Sequence, residues 1–226
     1  MIVSISQPAY LGWIGYYDRI AKSDLHIVLD HVQIEHNSKS FTNRNKIRQR
    51  QGWSWLTVPI INSGVNRGLP INEVMVERSS WRKKHWRSIE ISYAKARYFR
   101  KYRDELEKIY DQEAQRLIEI IDPLNLFMLR SFGIDRPIVR SSELHPRESK
   151  SKLILELCKK VNAKTYLSGP FGRDYLDMDA FKGCGIDLAW HNFQHPEYEQ
   201  QFPGFEPGMS ALDFLLNEGP RISVFT

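Results

Sequence analysis

The stretch that decides the fold is residues 2–30, IVSISQPAYLGWIGYYDRIAKSDLHIVLD. Ile2-Val3-Ser4-Ile5 is a short β-branched run and reads as a first strand. Pro8 and Gly12 punctuate a turn, and a helix is expected near Ile14–Lys22. Leu25–Leu29 is a second apolar run, closed by Asp30. Strand, helix and strand within about 30 residues make a βαβ unit, which favours parallel pairing through a right-handed crossover.

Working outward, Trp53-Ser54-Trp55-Leu56-Thr57-Val58 alternates and reads as a third strand. The middle is helical. Trp81–Arg103 carries apolar residues at Trp86, Ile89, Tyr93 and Ala96, and Asp104–Ile121 carries one stripe from Leu106 to Ile121. Asp122-Pro123 is expected to break that helix and start the next, which Gly133 ends. Strands at Pro137–Val139, Lys164–Leu167 and Asp187–Trp190 then alternate with helices at Ser149–Lys160 and Tyr175–Phe181. Ser210–Asn217 reads as a closing helix, with Ser210 as N-cap and Asp213 near a capping-box position. The pattern predicts an α/β, Rossmann-like fold: one domain over 1–226, a mostly parallel sheet, and a helical insertion at about 81–133.

At 226 residues the chain is long enough to bury a core without staples, and two cysteines make no disulfide framework. Apolar residues at 42% and charged residues at 26% exclude a disordered chain. No apolar run approaches the ~20 residues that span a bilayer, and the N-terminus has no signal-peptide pattern, so a cytoplasmic protein is expected. Net charge is +5, unevenly spread. Asn37–Arg103 holds 16 Lys or Arg against three acids, whereas the remainder is net negative at −8. Such a segment raises the local concentration of phosphate-bearing partners, or is a solvated basic face.

In doubly wound sheets ligands sit beyond the carboxyl ends of strands. That singles out Ser6-Gln7-Pro8, Asp30-His31-Val32-Gln33, Ser141-Ser142, Ser168-Gly169 and His191-Asn192. In the first turn Tyr10, Trp13 and Tyr16 suit stacking on a base or sugar, or seat the first helix, and Gly15 opens the backbone to an anion. Asn43-Arg44-Asn45-Lys46-Ile47-Arg48 reads as a donor-rich loop and an anion clamp. His85, in Lys83-Lys84-His85-Trp86-Arg87, is a candidate acid–base. Lys95, Arg97, Arg100, Lys101 and Arg103 interleave with Tyr93, Tyr98, Phe99 and Tyr102, a mixture that suits nucleic acid or an ordinary solvated helix.

Ser168-Gly169-Pro170-Phe171-Gly172-Arg173-Asp174-Tyr175-Leu176-Asp177 reads as a phosphate or substrate loop, with Arg173 and Asp177 as its chemical candidates, or as a tight turn capped by Asp174. Asp30, His31, Glu35 and His36 lack a metal-ligand spacing, so no metal site is assigned. No GxSxG elbow exists. Cys158 reads as packed in a helix, and Cys184 as the freer thiol.

Gln7-Pro8, Tyr10-Leu11, Trp13, Gly15-Tyr16 and Asp18 resemble the opening of the WbqC-like protein family. The resemblance runs on through Leu29–Gln33, Asn43–Ile47, Trp53 and Trp55–Pro59. It resumes at His85, Ser141-Ser142, Tyr166–Gly169, Tyr175–Asp177 and Ser210 to Asn217, and so spans essentially the whole chain. Gly12 stands where proline is expected, which loosens the turn and removes no chemical group.

The resemblance implies an accessory enzyme of bacterial O-antigen and surface-polysaccharide biosynthesis, a transferase passing a glycyl or aminoacyl group to an amino sugar. On that reading Arg44 and Lys46 hold phosphates, Gln7, Tyr10, Asp30, Gln33 and Asn45 shape the pocket, and His85 or Asp30 takes the proton. Trp13, Gly15, Tyr16, Asn43, Ser168, Gly169, Arg173, Tyr175 and Asp177 complete the candidate binding set. The expected partner is a phosphate-bearing small molecule such as a sugar nucleotide, or aminoacyl-tRNA. Two other classes stay open. One is an adenylate-forming or nucleotidylyltransferase-like enzyme using ATP and Mg²⁺, although Trp13-Ile14-Gly15-Tyr16 lacks the His-x-Gly-His turn of such enzymes. The other is a non-catalytic module binding RNA or a glycan-assembly partner.

Overall fold

The computed structural model describes residues 1–34, 40–61, 68–221 and 225. β1 (Ile2–Ser6) and β2 (Leu25–Val28) are parallel neighbours joined through α1 (Ile14–Ala21). The chain then leaves the sheet for an antiparallel hairpin, β3 (Arg44–Arg48) and β4 (Trp53–Thr57). Helices α2 (Trp81–Tyr93), α3 (Phe99–Asp111) and α4 (Ile118–Ser131) follow. The chain returns as β5 (Ile138–Arg140), α5 (Lys150–Lys160), β6 (Thr165–Ser168), α6 (Met178–Gly183) and β7 (Asp187–Trp190), and α7 (Ala211–Glu218) comes last. The five-stranded sheet has the order β5-β2-β1-β6-β7, with every pairing parallel. The fold is α/β.

Side-chain parity splits the sheet into two unlike faces. Val3, Ile5, Leu25 and Ile27 point to one side, where Leu153, Ile154, Leu157, Cys158 and Phe181 of α5 and α6 close a core over them. The residues of opposite parity are polar. Ser4 and His26 are fully buried, and Ser4 Oγ lies 2.8 Å from His26 Nδ1 and 2.9 Å from Ser23 Oγ. Tyr16 of α1 covers this seam, its ring edge-on to His26. A larger core joins α1 to the helical block through Tyr10, Ile14, Tyr17, Ile89, Tyr93, Leu106, Phe127 and Phe214. Each large side chain fully buried there contributes about 1.5–3 kcal/mol, so the helices are held to α1 by packing rather than by the loops that connect them.

Several local expectations change. Asn43–Arg48 is not a loop but, from Arg44 on, a strand paired with Trp53–Thr57, and this hairpin stands outside the parallel sheet. Asn45 and Ile47 are fully buried on one side, whereas Arg44 and Lys46 lie over Trp55 and Trp53 on the other. Long cationic side chains lay their stems on a pleated surface, which disguises a strand as a polar loop. Trp81–Arg103 divides at Ala94–Tyr98, where the Tyr98 N–H donates to Leu216.

Asp104–Ile121 divides at Gln112, whose backbone is extended. The Glu119 carboxylate then takes the N–H groups of Gln115 and Arg116, at 2.8 and 3.1 Å, and restarts the helix. Pro123 therefore sits inside α4 instead of breaking it. The carbonyl that its missing N–H leaves over belongs to Glu119, an exposed residue. Gly133, at φ 66°, ends α4 as expected. The helix expected at Tyr175–Phe181 starts later, as α6 from Met178, behind a 3-10 turn at Pro170–Asp174, and the cap is Asp177, not Asp174. Ser210 flanks α7 without a side-chain cap bond: the Asp213 N–H donates to the Ser210 carbonyl, and the Asp213 carboxylate is turned into the core.

Candidate functional site

β1 is followed on one side by β2 and flanked on the other by β6, so the strand order reverses between β1 and β6. Loops leaving the carboxyl ends part there and leave a crevice. A cleft of about 790 Å³ opens beside it, with Leu29, Val32, Leu153 and Ile154 as its apolar floor. Gln7 from the end of β1, Gln33 from beyond β2, and Tyr175 and Asp177 from beyond β6 form its rim, together with Glu148, Lys150 and Lys152 around the start of α5. The sequence therefore named four of the residues that the fold brings to one cleft. Gln7 Nε2 donates to the Gln33 carbonyl at 3.2 Å, and Thr42 Oγ1 donates to Gln7 Oε1 at 3.0 Å. On the other side of Gln7 is a recess of about 230 Å³ lined by Trp13, Tyr16 and Thr42, among others. Trp13 packs closely against Gly15, where an added Cβ would stand 2.1 Å from the indole.

Other candidates are placed elsewhere. Tyr10 and His85 lie in the helical core, with Tyr10 Oη 2.8 Å from His85 Nδ1 and 2.7 Å from Tyr110 Oη. Burial lowers the His85 pKa to about 4 and raises that of Tyr10, so both are neutral at pH 7. Asn45 Nδ2 donates to the Leu11 carbonyl at 2.6 Å, and Asn43 Nδ2 donates to Val58. Arg173 lies over Trp190. Asp30 is fully buried, and both its oxygens are occupied: Oδ1 by Ser141 Oγ and the Ser142 N–H, Oδ2 by Ser142 Oγ. Asp177 Oδ1 caps α6 through the Ala180 N–H. Glu35 and His36, weighed with Asp30 and His31, lie outside the described residues. Among the described residues no group of three or more His, Cys, Asp or Glu is placed to hold a metal ion.

The structure adds pairings that sequence reasoning did not show. His191, at the end of β7, has Nε2 2.5 Å from Asp18 Oδ2, and Lys22 Nζ is 3.1 Å from the same oxygen. The His191 N–H donates to Ser168, the last residue of β6. Arg19, next to Asp18, reaches the Ser168–Gly169 turn. His191 was legible as a strand-end residue, but its pairing with a helical aspartate 173 positions away was not. Lys150 carries a second signal that sequence does not show, a left-handed backbone at φ 53° at the start of α5.

This architecture defines an α/β protein with an all-parallel five-stranded sheet, an apolar-floored cleft with a polar rim beyond its strand ends and a hairpin–helix block between β2 and β5. The chain belongs to the WbqC-like protein family, which matches residues 7–223. It is 33% identical over 219 residues to the uncharacterized protein Rv1507c of Mycobacterium tuberculosis (strain ATCC 25618 / H37Rv), a match covering 96% of this chain and 94% of that one. No solved structure matches the chain significantly. Among the described residues no helix is long and apolar enough to cross a membrane.

Proposed function

We propose that this protein is a cytoplasmic transferase of bacterial surface-polysaccharide biosynthesis that holds a phosphate-bearing sugar, such as a sugar nucleotide, in the cleft at the carboxyl edge. The observation that carries the reading is the convergence of Gln7, Gln33, Tyr175 and Asp177 with Lys150 and Lys152 around one apolar floor. Amide and carboxylate groups suit sugar hydroxyls, and the lysines suit phosphate. The reaction proposed is aminoacyl transfer. An amine on the sugar attacks the carbonyl of an activated aminoacyl donor, a C–N bond forms, the bond from carbonyl to carrier breaks, and the amine proton ends on the leaving group. His191, oriented by Asp18, is the proton carrier in this scheme, in place of His85 and the saturated Asp30.

The test is thermal unfolding of the full chain with a sugar nucleotide, ATP with Mg²⁺, amino acids and bulk tRNA in separate arms. A ligand at about 100 times its Kd adds roughly 2.7 kcal/mol, and at about 2–4 °C per kcal/mol the Tm rises by roughly 5–10 °C. The sugar nucleotide is expected to give that rise. A rise with ATP alone overturns the reading in favour of an adenylate-forming enzyme.

A second reading is favoured by the hairpin. Arg44 stands 4.6 Å over Trp55, Lys46 stands 4.0 Å over Trp53, and Phe41 packs on Trp55. Cations interleaved with aromatic rings suit a single-stranded nucleic acid. A shift with tRNA alone, lost in Trp53→Ala and falling steeply with salt, would make this surface the functional one.

A further inference from the structure

Arg19 is a partly buried arginine of α1. Its Nε is buried and has no hydrogen-bond partner among the described residues, where it also forms no ion pair. Tyr16, His26 and Tyr166 feel its charge. All three are uncharged at pH 7: burial, with Arg19 beside it, holds the His26 pKa down to about 3, and burial pushes that of Tyr16 up to about 12. The neighbouring Asp18 turns its Oδ2 to His191 and Lys22. Adjacent helical positions do not face one another, so the sequence neighbour is not the counter-charge. Taking a guanidinium out of water without a partner is costly, and an anion offsets that cost.

The place the guanidinium points to is built for close approach. A Cβ added at Gly169 would lie 2.7 Å from Arg19 Nη1. Gly169 has φ −67°, an ordinary value that any residue adopts, so what its missing side chain provides here is the close approach of the Arg19 guanidinium to the turn. The turn it begins leaves β6 at the point where the strand order reverses. Ser168 Oγ donates to the Gly169 carbonyl at 3.1 Å and the Ser168 carbonyl accepts the His191 N–H, so the turn is held in place from both sides. A planar guanidinium offers a fork that fits phosphate oxygens.

We propose that Arg19 and the Ser168–Gly169 turn form a phosphate subsite that takes the pyrophosphate of the ligand. This deepens the cleft reading and rests on it for the rest of that ligand. The same group occurs on a nucleoside diphosphate and on a lipid pyrophosphate, so the two sources are separate arms of the test.

The experiment is calorimetric titration of the full chain with inorganic pyrophosphate, a nucleoside diphosphate and a short prenyl pyrophosphate, at low salt. The variants are Arg19→Ala, Arg19→Lys, Gly169→Ala and Lys150→Ala/Lys152→Ala. Arg19→Ala is expected to weaken inorganic pyrophosphate at least tenfold and Arg19→Lys by less, because a point charge replaces the fork. Gly169→Ala, which keeps the charge and fills the approach, is expected to weaken it severalfold. The ligand-free Tm of Arg19→Ala is expected to equal or exceed that of the wild type, since an unpaired charge is removed; a structural arginine would lower it. Whichever organic arm binds more tightly than inorganic pyrophosphate identifies the source. Equal affinity in wild type and Arg19→Ala overturns the subsite, as does loss confined to the double lysine variant, or no binding by wild type. A sugar nucleotide bound equally well by wild type and Arg19→Ala would remove the subsite and leave the cleft reading standing.

Discussion

His191 Nε2 lies 2.5 Å from Asp18 Oδ2, tying the end of β7 to the middle of α1 through two side chains that are both buried. Removing one partner of such a pair strands the other charge out of water, at about 3–5 kcal/mol. His191→Ala is therefore expected to lower the Tm by roughly 10 °C, because Asp18 would keep only Lys22, an exposed partner. Asp18→Asn, which keeps a hydrogen-bonding side chain of the same shape beside His191, should cost less. Equilibrium unfolding of the two variants checks the order; equal losses would show that the pair is held by packing alone.

Stability is expected to fall steeply on mild acidification. His26 and His85 are buried neutral, with burial lowering their pKa values to about 3 and about 4. In the unfolded chain both titrate near 6.5. Below that value the unfolded state binds protons that the folded state does not, so stability is complete above pH 6.5 and is lost as pH falls towards the folded values. Two such groups together cost roughly 3–4 kcal/mol between pH 7 and pH 5. Urea unfolding at a series of pH values measures the slope. His85→Asn should remove about half of it, whatever its effect on stability at pH 7.

Leu11 sits in the left-handed region at φ 49° while fully buried, and its carbonyl is held by Asn45 Nδ2 at 2.6 Å. The same side chain accepts the Lys46 N–H through Oδ1. Asn45→Ala would leave a buried carbonyl unpaired and release a strained turn, an expected loss of about 2 kcal/mol. Chemical denaturation checks it. A loss within about 0.5 kcal/mol would mean that Asn45 does not support the first turn.

Lys150 pairs a strained backbone with a position on the cleft rim. Lys150→Gly is expected to stabilise the fold by up to about 1 kcal/mol, because glycine adopts positive φ without penalty. The same change should weaken sugar-nucleotide binding by removing a cation. Opposite signs in unfolding and titration are the outcome to look for. Weaker folding would show that the lysine stem packs on Leu153 or Ile154 and contributes more than the strain removes.

Much of the fold was legible because its signals are local. Ile2-Val3-Ser4-Ile5 and Leu25–Leu29 read as paired strands from apolar runs and punctuation, and Gly133 stops α4 as its left-handed conformation requires. Where sequence reading failed, a distant contact had outweighed propensity. Arg44 and Lys46 look like loop residues until Trp53 and Trp55 supply the surface under their stems. Pro123 looks like a break until the carbonyl it leaves over is found to belong to Glu119, an exposed residue.

What the sequence by itself determined is the α/β order of elements, the basic middle and the candidates Gln7, Gln33, Tyr175 and Asp177, which the fold then brings to one cleft. What only the tertiary structure decided is which charges are paired. Asp18 finds His191 at 173 positions' distance, Asp30 is saturated by Ser141 and Ser142, and Arg19 finds no acid among the described residues. The physical reason is that a residue's identity fixes its charge, whereas burial and approach between distant segments fix its partner.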